Sequence, residues 1–145
     1  IPFNLSEKRK IFMGDTGSLL VGFLLASVSL GTSYTKMNYI GLFAPMIILA
    51  VPIYDTLLVT ILRMRRRQSP FLGSKDHFAL RLEKMGFTRK GILLITFISS
   101  IVLSFSAFLI TRTETKTAVL IFLLIIIFAV LTAYRLSKVP VDHKE

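Results

Sequence analysis

The sequence predicts an all-α protein: a polytopic membrane bundle of four transmembrane helices, with a basic cytoplasmic loop that carries a short amphipathic helix. Three observations support this prediction. The chain of 145 residues is 53% hydrophobic, and its mean hydropathy of +0.69 is unusual for a soluble domain. The apolar residues stand in long blocks. Most of the 18 lysines and arginines stand between those blocks.

Four apolar segments approach the length of about 20 residues that a membrane-crossing helix needs. They cover residues 18–34, 39–62, 91–110 and 117–134. Because the lipid interior offers no water to bond the backbone, each segment is expected to be helical. The first segment is short, and we expect residues ahead of it to lengthen it. Residues 1–145 are thus predicted to form one membrane-embedded domain.

The distribution of positive charge predicts the orientation of the chain. Fifteen of the 18 lysines and arginines lie in residues 1–17, in the loop 63–90 and in the tail after the last span. The remaining three are Lys36, Arg112 and Lys116. The positive-inside rule therefore places both termini and the loop 63–90 in the cytoplasm, as in a multi-pass protein of the plasma (inner) membrane.

Composition narrows the possible partners. The chain has no cysteine, which excludes disulfides and thiolate metal sites. Since the cations cluster between apolar blocks, we interpret them as topology signals and anion contacts, and we expect no nucleic-acid partner. The chain begins with Ile1 and shows no signal-peptide pattern ahead of its first span. We expect it to be a fragment of a longer protein.

A single carboxylate, Asp15, stands between Gly14 and Gly17 at the start of the first span. One interpretation is an N-cap, in which the carboxylate accepts backbone N–H bonds at the positive end of the helix. The other is a Mg²⁺ ligand, because Mg²⁺ commonly links one or two carboxylates to substrate phosphates. The sequence favours the two interpretations about equally.

A second carboxylate, Asp55, lies inside the second span, about 10 Å from its cytoplasmic end. An ionisable residue at that depth is a candidate functional residue. Pro52 precedes it by three residues and is expected to kink the helix or to free a carbonyl. The alternative is a polar contact of Asp55 with Thr56 or with another helix.

The cytoplasmic loop contains a helical pattern over residues 75–85. Its apolar stripe is Phe78, Leu82 and Met85, and its polar stripe is His77, Arg81 and Lys84. A short helix on the membrane surface would bury the apolar stripe. The polar stripe would then direct two cations and an imidazole toward a phosphate group.

Three stretches together resemble the polyprenyl-phosphate N-acetylhexosamine-1-phosphate transferases, a membrane family of glycosyltransferase family 4. They are "IFMGDTGSLLVGF", "PIYDTLLVTILRMRRRQSPF" and "KDHFALRLEKMGF". The resemblance implies transfer of an N-acetylhexosamine 1-phosphate from a UDP-sugar to a polyprenyl phosphate, with release of UMP. It also implies a Mg²⁺ cofactor, with Mn²⁺ as the alternative. Such enzymes act in the biosynthesis of cell-envelope glycans, including peptidoglycan and lipopolysaccharide.

The resemblance assigns roles to individual residues. Asp15 matches the metal-associated aspartate of the GD(S/A/T)GS motif and is a candidate catalytic residue and metal ligand. His77 matches the first histidine of an H-x-H-H motif and is the second catalytic candidate. The other two histidine positions of that motif are Ala79 and Leu80 here. A role that needs all the imidazoles of the motif therefore lacks two of them in this sequence.

Three further residues are candidate substrate ligands: Arg81, Lys84 and Asp55. Arg81 and Lys84 would supply positive charge in place of the missing imidazoles. Asp55 matches an acidic position in the helix that follows the GD(S/A/T)GS motif. The aspartate-rich and Asn/Asp motifs of the family's N-terminal half are absent from the sequence. The expected partners therefore include missing N-terminal helices, beside the bilayer and the two substrates, and the chain alone is expected to be inactive.

Two other functions are alternatives. The CDP-alcohol phosphatidyltransferases are also Mg²⁺-dependent membrane enzymes, but the chain has no D-G-x₂-A-R-x₈-G-x₃-D-x₃-D run. The second alternative is a small non-catalytic protein of four membrane helices that binds anionic lipid through the arginines of residues 63–67.

Overall fold

The computed structural model describes residues 14–30, 33–69 and 77–139, and all regular structure in these residues is helical. The chain forms two compact units, Ile1–Ser33 and Tyr34–Glu145. Helix α1 (Gly14–Leu30) belongs to the first unit. The second unit holds a 3₁₀ helix (Tyr39–Phe43), α2 (Ala44–Ile48), α3 (Ala50–Arg65), α4 (Phe78–Lys84), α5 (Arg89–Arg112) and α6 (Thr115–Ser137).

Helix α1 begins at Gly14, ahead of the predicted boundary at residue 18, so residues before that boundary do contribute to the helix. The helix has 17 residues. Its apolar side chains from Leu19 to Leu25 are exposed within the chain. The hydroxyl of Ser27 donates to the Phe23 carbonyl at 2.9 Å, which satisfies that polar group within the helix.

The second predicted span, residues 39–62, contains a sharp break, where the sequence predicted a kink or a free carbonyl. The 3₁₀ helix and α2 together meet α3 at an angle of 77°. Pro52 explains the break, since it has no N–H to donate to the Ile48 carbonyl and its ring would collide with that carbonyl in a continuous helix. In the observed structure Pro52 lies in the first turn of α3, where its missing N–H costs little.

The third and fourth predicted spans coincide with α5 and α6, and each helix extends two or three residues beyond the predicted limits. Their hydroxyl side chains bond to carbonyls of the preceding turn. Thr96 donates to Ile92, and Ser106 donates to Val102. Such bonds let polar residues lie in apolar helices without unsatisfied donors.

Two helices of the described residues, α5 and α6, are long and apolar enough to cross a membrane, and the bent Tyr39–Arg65 segment makes a third if it counts as one span. The prediction of an all-helical membrane protein is confirmed. The prediction of four spans is not, because α1 is short and the second span is bent.

One core cluster joins α2, α5 and α6. Its buried members are Ala44, Ile47, Ala107, Ile110 and Ala118. The small residues let the helices approach closely, as membrane helices commonly do. The rings of Phe43 and Phe122 lie beside this cluster with their centroids 5.3 Å apart.

Asn38 links the 3₁₀ helix to the C-terminal end of α5. No motif or periodicity in the sequence identified it. Its Nδ2 donates to the carbonyls of Ile110 and Thr113, both at 2.7 Å, while its Oδ1 accepts the Gly41 N–H at 2.9 Å. The residue is 3% exposed. Asn38 therefore caps the 3₁₀ helix and bonds the carbonyl end of α5 at the same time.

A second cluster packs α4 against the ends of α3 and α6. Leu58, Leu62 and Leu136 are its buried centre, and Phe78 and Leu82 pack on it. Two of the three residues of the predicted apolar stripe thus contact protein, while Met85 is 50% exposed. The first residues of the predicted helix, 75 and 76, lie outside the described residues.

Candidate functional site

The carboxylate of Asp55 and the imidazole of His77 form a pair. Asp55 Oδ2 lies 2.8 Å from His77 Nδ1, and Asp55 Oδ1 accepts the backbone N–H of Phe78, also at 2.8 Å. The pair joins α3 to the first residues of α4, although 22 residues separate the partners in the chain. The structure thus brings together two candidates that the sequence identified separately.

The local structure explains why Asp55 occupies this place. Helix α4 begins at Phe78 after His77, which makes no side-chain cap of its own. A helix start leaves backbone N–H groups without intrahelical partners. The carboxylate of Asp55 accepts one of them from the neighbouring helix. Of the two alternative contacts predicted for Asp55, the one with another helix is therefore formed, and the Thr56 hydroxyl instead donates to the Pro52 carbonyl at 3.0 Å.

The pair lies at the protein surface. The His77 side chain is 52% exposed and the Asp55 side chain 22%. One edge of the imidazole, Nδ1, faces Asp55, and the half-exposed ring leaves the Nε2 edge as the position from which His77 can reach a ligand. An imidazole can donate or accept a proton there, which suits phosphate chemistry.

The helical spacing predicted that Arg81 would join His77 and Lys84 in a polar stripe. The structure instead buries Arg81, which has no exposed surface. Its Nη1 donates to the carbonyls of Leu136 at 2.9 Å and Val139 at 3.0 Å. These carbonyls lie at the negative end of α6, where a cation is favourable. In this structure Arg81 anchors α4 to α6.

Lys84 is exposed on α4 near its end, as the polar stripe predicted. The neighbouring Glu83 receives a bond from Arg89 Nε at 3.2 Å, which links α4 to the start of α5. A contact between Lys84 and a phosphate group stays a prediction.

Asp15 is the second residue of α1, in the first turn of the helix. Its side chain lies outside the described residues, so its capping role and its metal role both stay predictions. Within residues 14–30, 33–69 and 77–139, no three side chains of the metal-ligating types form a cluster. Asp55 uses both oxygens on His77 and Phe78.

Comparison with known proteins gives three representative relatives. A probable undecaprenyl-phosphate N-acetylglucosaminyl 1-phosphate transferase of Bacillus subtilis strain 168 is 33% identical over 119 residues, which are 82% of this chain and 33% of the relative. The undecaprenyl-phosphate alpha-N-acetylglucosaminyl 1-phosphate transferase of Escherichia coli K12 is 33% identical over 69% of this chain and 28% of the relative. The protein of that name in Haemophilus influenzae is 34% identical over 70% of this chain and 28% of the relative.

This chain is homologous to the undecaprenyl-phosphate N-acetylglucosaminyl 1-phosphate transferases. The resemblance to polyprenyl-phosphate sugar-1-phosphate transferases, predicted from the motifs around Asp15, Asp55 and His77, is thereby confirmed. The chain spans about a third of the length of these transferases. No family model matches it, and no solved structure matches it either.

Proposed function

We propose that this chain is part of an enzyme that transfers an N-acetylhexosamine 1-phosphate to a membrane polyprenyl phosphate at the cytoplasmic face of the plasma membrane. An oxygen of the polyprenyl phosphate attacks the β-phosphorus of a UDP-sugar. The bond from that phosphorus to the oxygen bridging it to UMP breaks. The products are polyprenyl-diphosphate-sugar and UMP, so every phosphate is accounted for. The names of the relatives make N-acetylglucosamine the first sugar to test.

One observation carries this proposal: a third of the residues are identical to a transferase over 82% of the chain. The structure supports it with apolar helices suited to a membrane and with an acid–imidazole pair at the protein surface. The excess of lysine and arginine in residues 63–90 supports a cytoplasmic position for that pair.

The proposal gives roles to the candidate residues. Asp15 would hold Mg²⁺ together with ligands from other parts of the enzyme, and the metal would neutralise charge on the transferring phosphates. His77 and Lys84 would contact the phosphates from α4. Arg81 is a weaker candidate for that contact, because its guanidinium would first have to leave the carbonyls of Leu136 and Val139.

The proposed cofactor and ligand can be tested in a chimaera in which this chain replaces the matching segment of the Bacillus subtilis relative. Membranes that contain the chimaera should form lipid-linked N-acetylglucosamine from UDP-N-acetylglucosamine and undecaprenyl phosphate when Mg²⁺ is supplied. Asp15→Asn keeps a capping side chain but removes the charge, so it should abolish transfer. Normal transfer by Asp15→Asn would contradict the metal role, and an inactive chimaera beside an active intact relative would contradict the function.

A further inference from the structure

We propose that Asp55 is a positioning residue: it holds His77 with the proton on Nδ1, so that Nε2 presents its lone pair to the phosphate of the substrate. The sequence predicted Asp55 as a substrate ligand, and we now propose that it acts through His77 instead. The proton position follows from the pair alone, and only its catalytic meaning rests on the proposed function.

Each oxygen of the Asp55 carboxylate makes one bond, to His77 and to the Phe78 N–H. An ionised carboxylate can only accept hydrogen bonds. Asp55 Oδ2 lies 2.8 Å from His77 Nδ1, which is bonding distance for a donor and repulsive distance for two acceptors. Nδ1 must therefore carry a proton. In a neutral imidazole the other nitrogen, Nε2, is then the acceptor.

The pair is fixed from both sides, so it is more than a contact between two flexible side chains. Asp55 stands on α3, and its second oxygen is tied to the Phe78 N–H. Helix α4 is held by the apolar contacts of Phe78 and Leu82 and by the buried Arg81. Fixed partners of this kind set which nitrogen of a histidine is protonated in other catalytic sites.

With its proton on Nδ1, His77 can accept a proton from a phosphate oxygen at Nε2. When Nε2 takes a proton from the polyprenyl phosphate, the phosphate gains a negative charge and becomes a better nucleophile. The proton remains on Nε2 until it passes to solvent, and the Asp55 carboxylate balances the imidazolium charge. Because Ala79 and Leu80 occupy the other histidine positions of the motif, His77 is the motif imidazole that this chain offers.

Asp55→Asn should reverse the proton position. The Phe78 N–H needs an acceptor, so the amide oxygen of the substituted side chain takes that bond. The amide NH₂ then faces His77 Nδ1, which must become the acceptor, and the proton moves to Nε2. Shape and cap are kept while the tautomer is inverted, as expected when a carboxylate beside a catalytic histidine becomes an amide.

The experiment is ¹⁵N NMR of the 145-residue chain in detergent, with labelled histidine, in alkaline solution where imidazoles are neutral. The chain contains two histidines, and His77→Gln identifies the signal of interest by removing it. We expect His77 to show a protonated Nδ1 in the wild type and a protonated Nε2 in Asp55→Asn. A protonated Nε2 in the wild type, or an unchanged tautomer in Asp55→Asn, would overturn the proposal.

The catalytic meaning is tested separately in the chimaera. Asp55→Asn should lower kcat by about 10²-fold, as the loss of a general base does, with little change in KM. Because Asp55 acts through His77, adding Asp55→Asn to His77→Gln should cause no further loss. A normal kcat in Asp55→Asn would overturn the positioning role. An inactive wild-type chimaera would instead contradict the proposed function and leave the NMR result standing.

Discussion

At the scale of single residues, Arg81 is a buried guanidinium whose charge requires hydrogen-bond acceptors. Its Nη1 bonds two carbonyls at the end of α6, and the side chain has no exposed surface. Removing the guanidinium would take a charge-assisted hydrogen bond from each carbonyl, although the Leu136 carbonyl keeps a bond from the Val139 N–H. Arg81 therefore links the helix that carries His77 to the rest of the second unit.

Arg81→Met should lower the free energy of unfolding by about 1.5–3 kcal/mol, the usual worth of hydrogen bonds to a charged group. The control is Lys84→Met on the same helix, which is exposed and should change the free energy by less than about 0.5 kcal/mol. Unfolding of both variants in detergent, followed by circular dichroism, checks this. Unchanged stability of Arg81→Met together with lost substrate binding would instead support the ligand role that the sequence predicted.

At this scale, the sequence identified individual residues better than it identified their partners. It identified Asp55 and His77 as candidates because each is unusual where it stands, but their pairing depends on how α4 packs against α3. It grouped Arg81 with His77 and Lys84 because helical spacing places them on one side. The carbonyls that bind Arg81 come from the end of α6, which local periodicity does not reveal.

At the scale of elements, α4 carries His77 at its N-terminal end and is terminated by Gly86 just after its C-terminal end. Gly86 has φ of +94°, a conformation that glycine adopts readily and other residues do not. Its N–H bonds the Glu83 carbonyl at 3.0 Å, and the Phe87 N–H bonds the Leu82 carbonyl at 3.1 Å. This is the usual pattern by which a glycine terminates a helix.

Gly86→Ala should therefore destabilise the chain by about 1 kcal/mol, because alanine is strained at this φ. Arg67 provides a control of opposite sign, since it lies just after α3 with φ of +56°, and Arg67→Gly should be neutral or stabilising. Thermal unfolding in detergent compares the two variants. Equal stabilities of Gly86→Ala and the wild type would show that α4 does not need this turn.

The broken second span shows which part of an element can be predicted from the sequence. Pro52 indicated a kink or a free carbonyl, and the break does occur just before it. The size of the bend, 77°, depends on how the 3₁₀ helix and α2 pack on α5 and α6. That packing involves Asn38 and residues more than 70 positions away in the chain, so the sequence indicated a kink but not its angle.

At the scale of the whole molecule, the membrane orientation is predicted from the distribution of lysine and arginine. Because the chain has no cysteine, single introduced cysteines can test this orientation. Gln68→Cys lies in the basic loop, and Met37→Cys lies in the short connection before the 3₁₀ helix. In intact cells, a membrane-impermeant thiol reagent should label Met37→Cys and not Gln68→Cys. The reverse pattern would contradict the cytoplasmic position of the Asp55–His77 pair.

We propose that this chain supplies one part of a sugar-1-phosphate transferase and acts only with the remaining part, because it spans about a third of the transferases that it matches. The most direct measurement is release of UMP from UDP-N-acetylglucosamine, with undecaprenyl phosphate and Mg²⁺. It is made on membranes with this chain alone, with the non-matching remainder of the Bacillus subtilis relative alone, and with both together. We predict UMP release only when both parts are present. Metal-dependent release by this chain alone, abolished by Asp15→Asn, would contradict the claim, as would no release from the two parts together beside an active intact relative.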